Sequence, residues 1–312
     1  MPTPPTVKST STTTPNPCVG NVCKKQKPEW VQERKTVKKI YTEMLVVEGN
    51  DQRQAEMLTE NVLKAVQDLK RTILKMNGFD NSTEPPDTGV YGGDMLLSFS
   101  QAIELNQQIS EQIENKKDEN ALKRFKRGSG FALDLKSRGG RNQRALDIKA
   151  RKWMEKPIPY RISDKFDKTH IAAAHTAIEL LENNTCTRFK SLTQKEVLKR
   201  PHFYFERNDG LSRCILAPVG KGDEISNTVT IKTTGPCRLQ VPHLFIHGAL
   251  HLLGLSHIHH TTSPETDIPF GHFGIPAGFA DRSVMNPKRT ETELLQKDIQ
   301  QIHRTYCRSN DS

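Results

Sequence analysis

No run of 18 apolar residues occurs anywhere in these 312 residues, and aromatic side chains make up only 6% of them. The first absence excludes an ordinary membrane-spanning helix. The N-terminus, Met1-Pro2-Thr3-Pro4-Pro5, likewise lacks the apolar core of a signal peptide. None of the six cysteines has C-x-x-C spacing, which favours oxidation over thiolate metal binding. An oxidised framework implies a secreted, extracellular protein. With no signal visible, either the sequence lacks its true N-terminus or export takes another route. Acidic residues are in deficit, with 36 Asp and Glu against 46 Lys and Arg and a net charge of +10. The excess is concentrated between Lys123 and Lys152, where eleven basic residues face only Asp134 and Asp147. No aromatic interleaving or nucleic-acid motif accompanies this run, so it reads as a solvated or protease-sensitive segment and no nucleic-acid partner is expected.

The length leaves room for about two domains. Residues 1–30 are rich in Thr, Ser, Pro and Lys, contain Cys18 and Cys23, and read as disordered or mucin-like. Residues 31–127 read as a helical, core-poor front half. Leu58, Val62, Val66, Leu69 and Ile73 recur at helical spacing there, and a second, polar helix is expected over 99–126. Residues 128–144 form an open basic linker marked by Gly128, Gly130, Gly139 and Gly140. The segments ending at Arg127 and Arg144 fit cleavage by a furin-like convertase, and they separate the front half from a cysteine-bearing back half over 145–312. In the back half, Ile158–Ile162, Phe203–Phe205 and Thr228–Lys232 read as strands, with turn-rich loops around Asn208-Asp209-Gly210 and Lys221-Gly222-Asp223. Helices are expected through Ile171–Leu181, from about Pro242 to Leu253, and through Leu294–Ile302. This order implies an α/β or α+β lobe with a metal under the sheet's edge.

The metal follows from histidine spacing. His247 and His251, four apart on a helix, lie about 40° apart around the axis and about 6 Å along it, so both imidazoles can reach one ion. Gly254 suits a left-handed position that ends the helix, which lets His257 bring a third nitrogen and leaves a fourth position open. With Ser283-Val284-Met285-Asn286-Pro287 downstream, the pattern has the spacing of the metzincin signature. Gly248 stands where that signature has its catalytic glutamate. A missing general base costs roughly 10²–10⁴-fold in rate, or about 3–5 kcal/mol of barrier. Glycine inside a helix also costs about 1 kcal/mol against alanine, so local stability does not favour it.

Over roughly 90–307 the chain resembles the astacin family of zinc metalloendopeptidases. The residues that carry the likeness are Trp153 with Ile158-Pro159-Tyr160, the run Thr185-Cys186-Thr187-Arg188-Phe189, four cysteines, and Tyr91-Gly92-Gly93-Asp94 in the front half. The resemblance implies an α+β, metzincin-like two-lobed domain, with a twisted sheet and an active-site helix, preceded by a helical pro-segment; the stretches from His257 to Met285 and from Met285 to Cys307 are shorter than is usual for the family and imply a reduced lower lobe. It implies one zinc ion per chain held by His247, His251 and His257, a hydrophobic floor from Met285, and disulfides Cys186–Cys307 and Cys214–Cys237. It also makes Asp94 a pro-segment switch, whose carboxylate can fill the open zinc position. Departures from the family accompany Gly248. Ile258 stands where a glutamate pairs with the new N-terminus, and Pro287 where a tyrosine assists the oxyanion.

Several other residues carry weaker readings. His243, His247 and His251 form an alternative trio on one helix face, although Pro242 and ring crowding favour a surface or supporting place for His243. His259 and His260 read as solvated. Glu265 is a conceivable substitute base. Asn81-Ser82-Thr83 and Asn183-Asn184-Thr185 permit glycosylation. The expected function is a secreted zymogen of a zinc metalloendopeptidase family, acting on or holding polypeptides, that binds zinc and is impaired in hydrolysis. The alternatives are an active endopeptidase with a substitute base and a non-catalytic peptide-binding or decoy protein.

Overall fold

The computed structural model describes residues 18–19, 22–23, 27–47, 49–76, 84–128, 148, 150–193, 195–196, 201–222, 226–257, 284–285 and 292–307. Ile258, His259, His260, Glu265, Pro287, Arg144 and the Asn81 sequon lie outside them.

A two-residue pairing of β1 (Cys18–Val19) with β2 (Val22–Cys23) precedes the front half. Three helices follow: α1 (Pro28–Val47), α2 (Gln52–Met76) and α3 (Phe99–Gly128). Of the apolar stripe expected in α2, Val62, Val66, Leu69 and Ile73 are buried on its inner face and Leu58 is half-buried. The helix α1 has no such stripe in the sequence, because its inward face mixes Val37, Ile40 and Tyr41 with Glu33 and Thr42. These polar residues have partners: Glu33 pairs with Arg213, and Thr42 Oγ1 meets Thr59 Oγ1 at 3.1 Å. Lys70, fully buried in α2, donates from Nζ to Pro86 O at 2.8 Å and so fastens the loop after that helix.

The back half contains β4 (Ile158–Ile162), α4 (Lys168–Asn184), β5 (Phe189–Ser191), β6 (His202–Arg207), β7 (Ile215–Pro218), β8 (Ser226–Ile231), a 3-10 turn (Gly235–Gln240), α5 (Val241–Leu252) and α6 (Gln296–Tyr306). Strands β5, β4, β6 and β8 run parallel, and β7 joins β8 antiparallel. A sixth strand comes from the front half, where β3 (Met95–Leu96) pairs parallel with β7. The short strands β3, β5 and β7 have no clear alternating pattern of their own in the sequence.

Strand β7 joins the two halves. Its side chains alternate between sheet faces. Ile215 and Ala217 enter the back-half core with α5, whereas Leu216, with Leu211, Val219 and Ile148, joins the core formed by α1, α2 and α3. All four residues of the strand are buried. Disulfides Cys186–Cys307 and Cys214–Cys237 close the back half, with Cα separations of 5.7 and 5.2 Å. The first ties the end of α4 to the end of α6.

Candidate metal centre

The helix α5 is apolar nearly all round and buried from Leu244 to Leu252, as expected of a helix inside a core. Its end is sharply defined. Gly254 has φ +93°, Gly254 N donates to His251 O at 2.8 Å, and Leu255 N donates to Leu250 O at 3.0 Å. These two bonds make a Schellman turn, which an ordinary L-residue at Gly254 would strain. The carbonyls left over at this end are also used. Trp153 Nε1 donates to Leu252 O at 2.8 Å and Tyr306 Oη to Leu253 O at 3.0 Å. The turn sends the chain back so that His257 approaches the two helix histidines.

His247, His251, His257 and Asp94 meet in one buried cluster, with ligand atoms all within 4.8 Å of one another. His247 Nε2 lies 3.1 Å from His251 Nε2 and 3.3 Å from His257 Nε2. Asp94 Oδ2 is 2.9 Å from His247 Nε2, and Oδ1 is 3.1 Å from His257 Nε2 and 3.5 Å from His251 Nε2.

The outer nitrogens decide what this cluster fits. His247 Nδ1 is 3.1 Å from Val284 O, His251 Nδ1 is 2.8 Å from Leu255 O, and His257 Nδ1 is 3.0 Å from Gly92 O. A carbonyl only accepts, so each Nδ1 carries a ring proton and each ring turns its Nε2 into the cluster. Three Nε2 atoms and a carboxylate then converge on one point. A cation satisfies that arrangement, and imidazole with carboxylate is a donor set suited to zinc. Electrostatics agree for two of the residues. Burial drives His251 down to about 4, towards the neutral ligand form. Burial would raise Asp94, but the neighbouring His257, His251 and His247 hold its carboxyl well below the usual range. For His247 burial pulls down while Asp94 pulls up, and the net direction is upward.

Further contacts brace the cluster. Asp298 in α6, fully buried, accepts from Val284 N at 2.9 Å, which places the carbonyl that orients His247. Met285 beside it is fully buried in the back-half core. Tyr91 is buried, which pushes its phenol up. Gly92 and Gly93 have φ +61° and +104°, and a Cβ on Gly92 would stand 2.5 Å from Met95 Cε. Gly93 O accepts from Arg213, which also pairs with Glu33. His243 is buried, with its ring 5.6 Å from that of His247, so of a surface and a supporting place it does not have the surface one.

Position 248 faces the sheet. A Cβ built on Gly248 would lie 2.5 Å from Val229 Cγ1 in β8 and 3.1 Å from Ile215 Cδ1 in β7. The glycine therefore permits a helix-to-sheet contact so close that a Cβ there would force Val229 or the helix to shift. Of the cleavage candidates, Arg127 falls in the last turn of α3.

Sequence reasoning missed Arg213, Asp298 and the orienting carbonyls of Gly92, Leu255 and Val284. A carbonyl has no side-chain identity to read. Asp298, an acid on an otherwise apolar inner face of α6, left the one available signal.

Two helix-borne histidines beneath a mixed sheet, with a third brought in by the glycine turn that ends the helix, define a metzincin-type α+β metal-site domain. The sequence model of the astacin peptidase family matches residues 145–307, more than half of the chain, and the chain belongs to that family. It is 23% identical over 253 residues to zinc metalloproteinase nas-9 of Caenorhabditis elegans, covering 78% of this chain and 41% of that protein. It is 24% identical over 247 residues to nas-10 of the same organism, covering 78% of this chain and 42% of that one. The chain thus spans about two fifths of the length of these relatives. Among solved structures, high choriolytic enzyme 1, a hatching-enzyme zinc protease from Oryzias latipes (medaka), matches at 16% identity with a TM-score of 0.34, covering 49% of this chain and 92% of that chain.

Proposed function

We propose that this protein binds one zinc ion through Nε2 of His247, His251 and His257, with Asp94 at the fourth position, and hydrolyses peptide bonds poorly or not at all. The convergence of three Nε2 atoms and one carboxylate, beside a position 248 that has no side chain, carries this reading. Bound zinc supplies Lewis acidity and acidifies water. Moving the proton falls to the protein. Among the described residues, the only carboxylate in the cluster is Asp94, which is engaged by all three histidines. A ligand that fills the open position excludes the water it would need to deprotonate.

The family and the names of the relatives support zinc and a polypeptide as partners. The disulfides support an extracellular location, and no described helix is long and apolar enough to cross a membrane. Processing after Arg127 or Arg144 by a furin-like convertase belongs to the same proposal.

Metal analysis of the purified chain, paired with digestion of a denatured protein with and without chelator, tests the proposal. The expected result is zinc at about one per chain with negligible turnover. Strong chelator-sensitive turnover, before or after cleavage in the linker, sinks it.

A further inference from the structure

We infer that the helical unit from Pro28 to Gly128 is a resident half of the molecule and not a removable inhibitor, with Asp94 and Gly92 completing a closed, structural metal site. The inference rests on the zinc-binding, hydrolysis-impaired reading above. A zymogen's inhibitory segment has to leave so that substrate can reach the metal. A site with no base gains nothing from that departure.

Three independent observations tie the front half to the site. The first is coordination, since Asp94 reaches all three histidines from a loop between α2 and α3. The second is ligand orientation. His257 Nδ1 has its 3.0 Å partner in Gly92 O, so the front half sets the tautomer of a ligand as well as supplying one. If that unit left, His257 would lose its orienting acceptor. The third is the shared core. Ile148, Leu211, Leu216 and Val219 of the back half lie in one hydrophobic cluster with residues of α1, α2 and α3. Parting the halves would expose both faces of that cluster to water. Polar links line the same boundary. Arg213 holds Glu33 and Gly93 O, Gln101 Nε2 donates to Val219 O at 2.9 Å, and Ala217 N donates to Asp94 O at 2.9 Å.

With three imidazoles and a carboxylate that never leaves, the site would keep the closed coordination of a structural centre. In that role the metal is a clasp between two halves of the chain, and cutting the linker changes the covalent structure without opening the cleft.

The test uses the full chain with a viral-protease recognition sequence inserted between Gly128 and Ala145. After complete cutting, gel filtration in zinc-containing buffer should give one peak at the uncut volume containing both fragments and undiminished zinc. Elution of the back half alone overturns the inference. In the uncut chain, Asp94→Ala and the isosteric Asp94→Asn should each lower zinc affinity at least tenfold in competition with a chromophoric chelator. Unchanged affinity in the variant that keeps the native circular dichroism spectrum overturns it as well. An uncut chain without zinc defeats the function proposed above. Zinc in the uncut chain followed by separation of the halves defeats only this inference.

Discussion

Gly248 shows how a missing side chain can have a structural role. Glycine costs about 1 kcal/mol in a helix, yet here a Cβ would stand 2.5 Å from Val229 Cγ1 on a stiff, β-branched side chain. Overpacking of that kind costs about 1–3 kcal/mol, enough to cancel or exceed the helical gain. Gly248→Glu is therefore expected to lower the unfolding midpoint in urea and to restore no turnover by itself. Adding Val229→Ala should recover stability, and only that double variant gives a replaced carboxylate room to stand. A single variant with native stability and clear turnover would show that the contact is no obstacle. Asp298 is the residue-scale counterpart on the metal's far side. Asp298→Ala leaves the Val284 N–H buried without this acceptor, at about 1–3 kcal/mol, and loosens the carbonyl that orients His247. Zinc affinity should fall roughly 10–100-fold, as for other supports of metal-bound histidines. Chelator competition that finds native affinity would remove Asp298 from the site.

At the scale of elements, the site depends on how α5, the Gly254 turn, the Val284–Met285 turn and α6 are held together. The Cys186–Cys307 bridge spans 121 residues and encloses all of them, whereas Cys214–Cys237 spans 23 and closes only β7, β8 and the 3-10 turn. Loop-closure entropy puts the longer bridge at about 5 kcal/mol and the shorter at about 3 kcal/mol. Replacing each pair by alanines should rank in that order in denaturant unfolding. Loss of Cys186–Cys307 should also lower metal content, because α6 carries Asp298. The reverse order would mean that α6 is held chiefly by its packing. The helix α1 illustrates what element-level reading lacks. Its inward Glu33 and Thr42 break the apolar period, and their partners, Arg213 and Thr59, lie 180 and 17 residues away.

At the scale of the whole molecule, the His/Asp cluster draws side chains from both halves, so the proposed metal binding is expected to couple the two cores. A ligand bound only by the folded state stabilises by about 2.7 kcal/mol when present at 100 times its dissociation constant. For a domain of this size each kcal/mol moves the melting point by about 2–4 °C, so stripping zinc should lower it by about 5–10 °C. The shift should include the front-half helices, and circular dichroism should report one joint transition. Separate melting of α1, α2 and α3, at a temperature that chelator does not change, would show that the halves are energetically independent.

The amphipathic stripe of α2 and the polar α3 were legible in the sequence because their period is local. So were the histidine spacing, the glycine that ends α5 and the missing carboxylate at 248, because each is set by residue type along one short segment. The disulfide pairs were legible only through family likeness, since four cysteines by themselves allow several pairings. Tertiary structure alone decided the rest. It brought Asp94 to histidines more than 150 residues later, supplied Gly92 O to His257, placed Val229 against Gly248, and gave β7 a second buried face. These are relations between distant segments, two of them through backbone carbonyls or a bare Cα, which the order of residue types along a chain does not record.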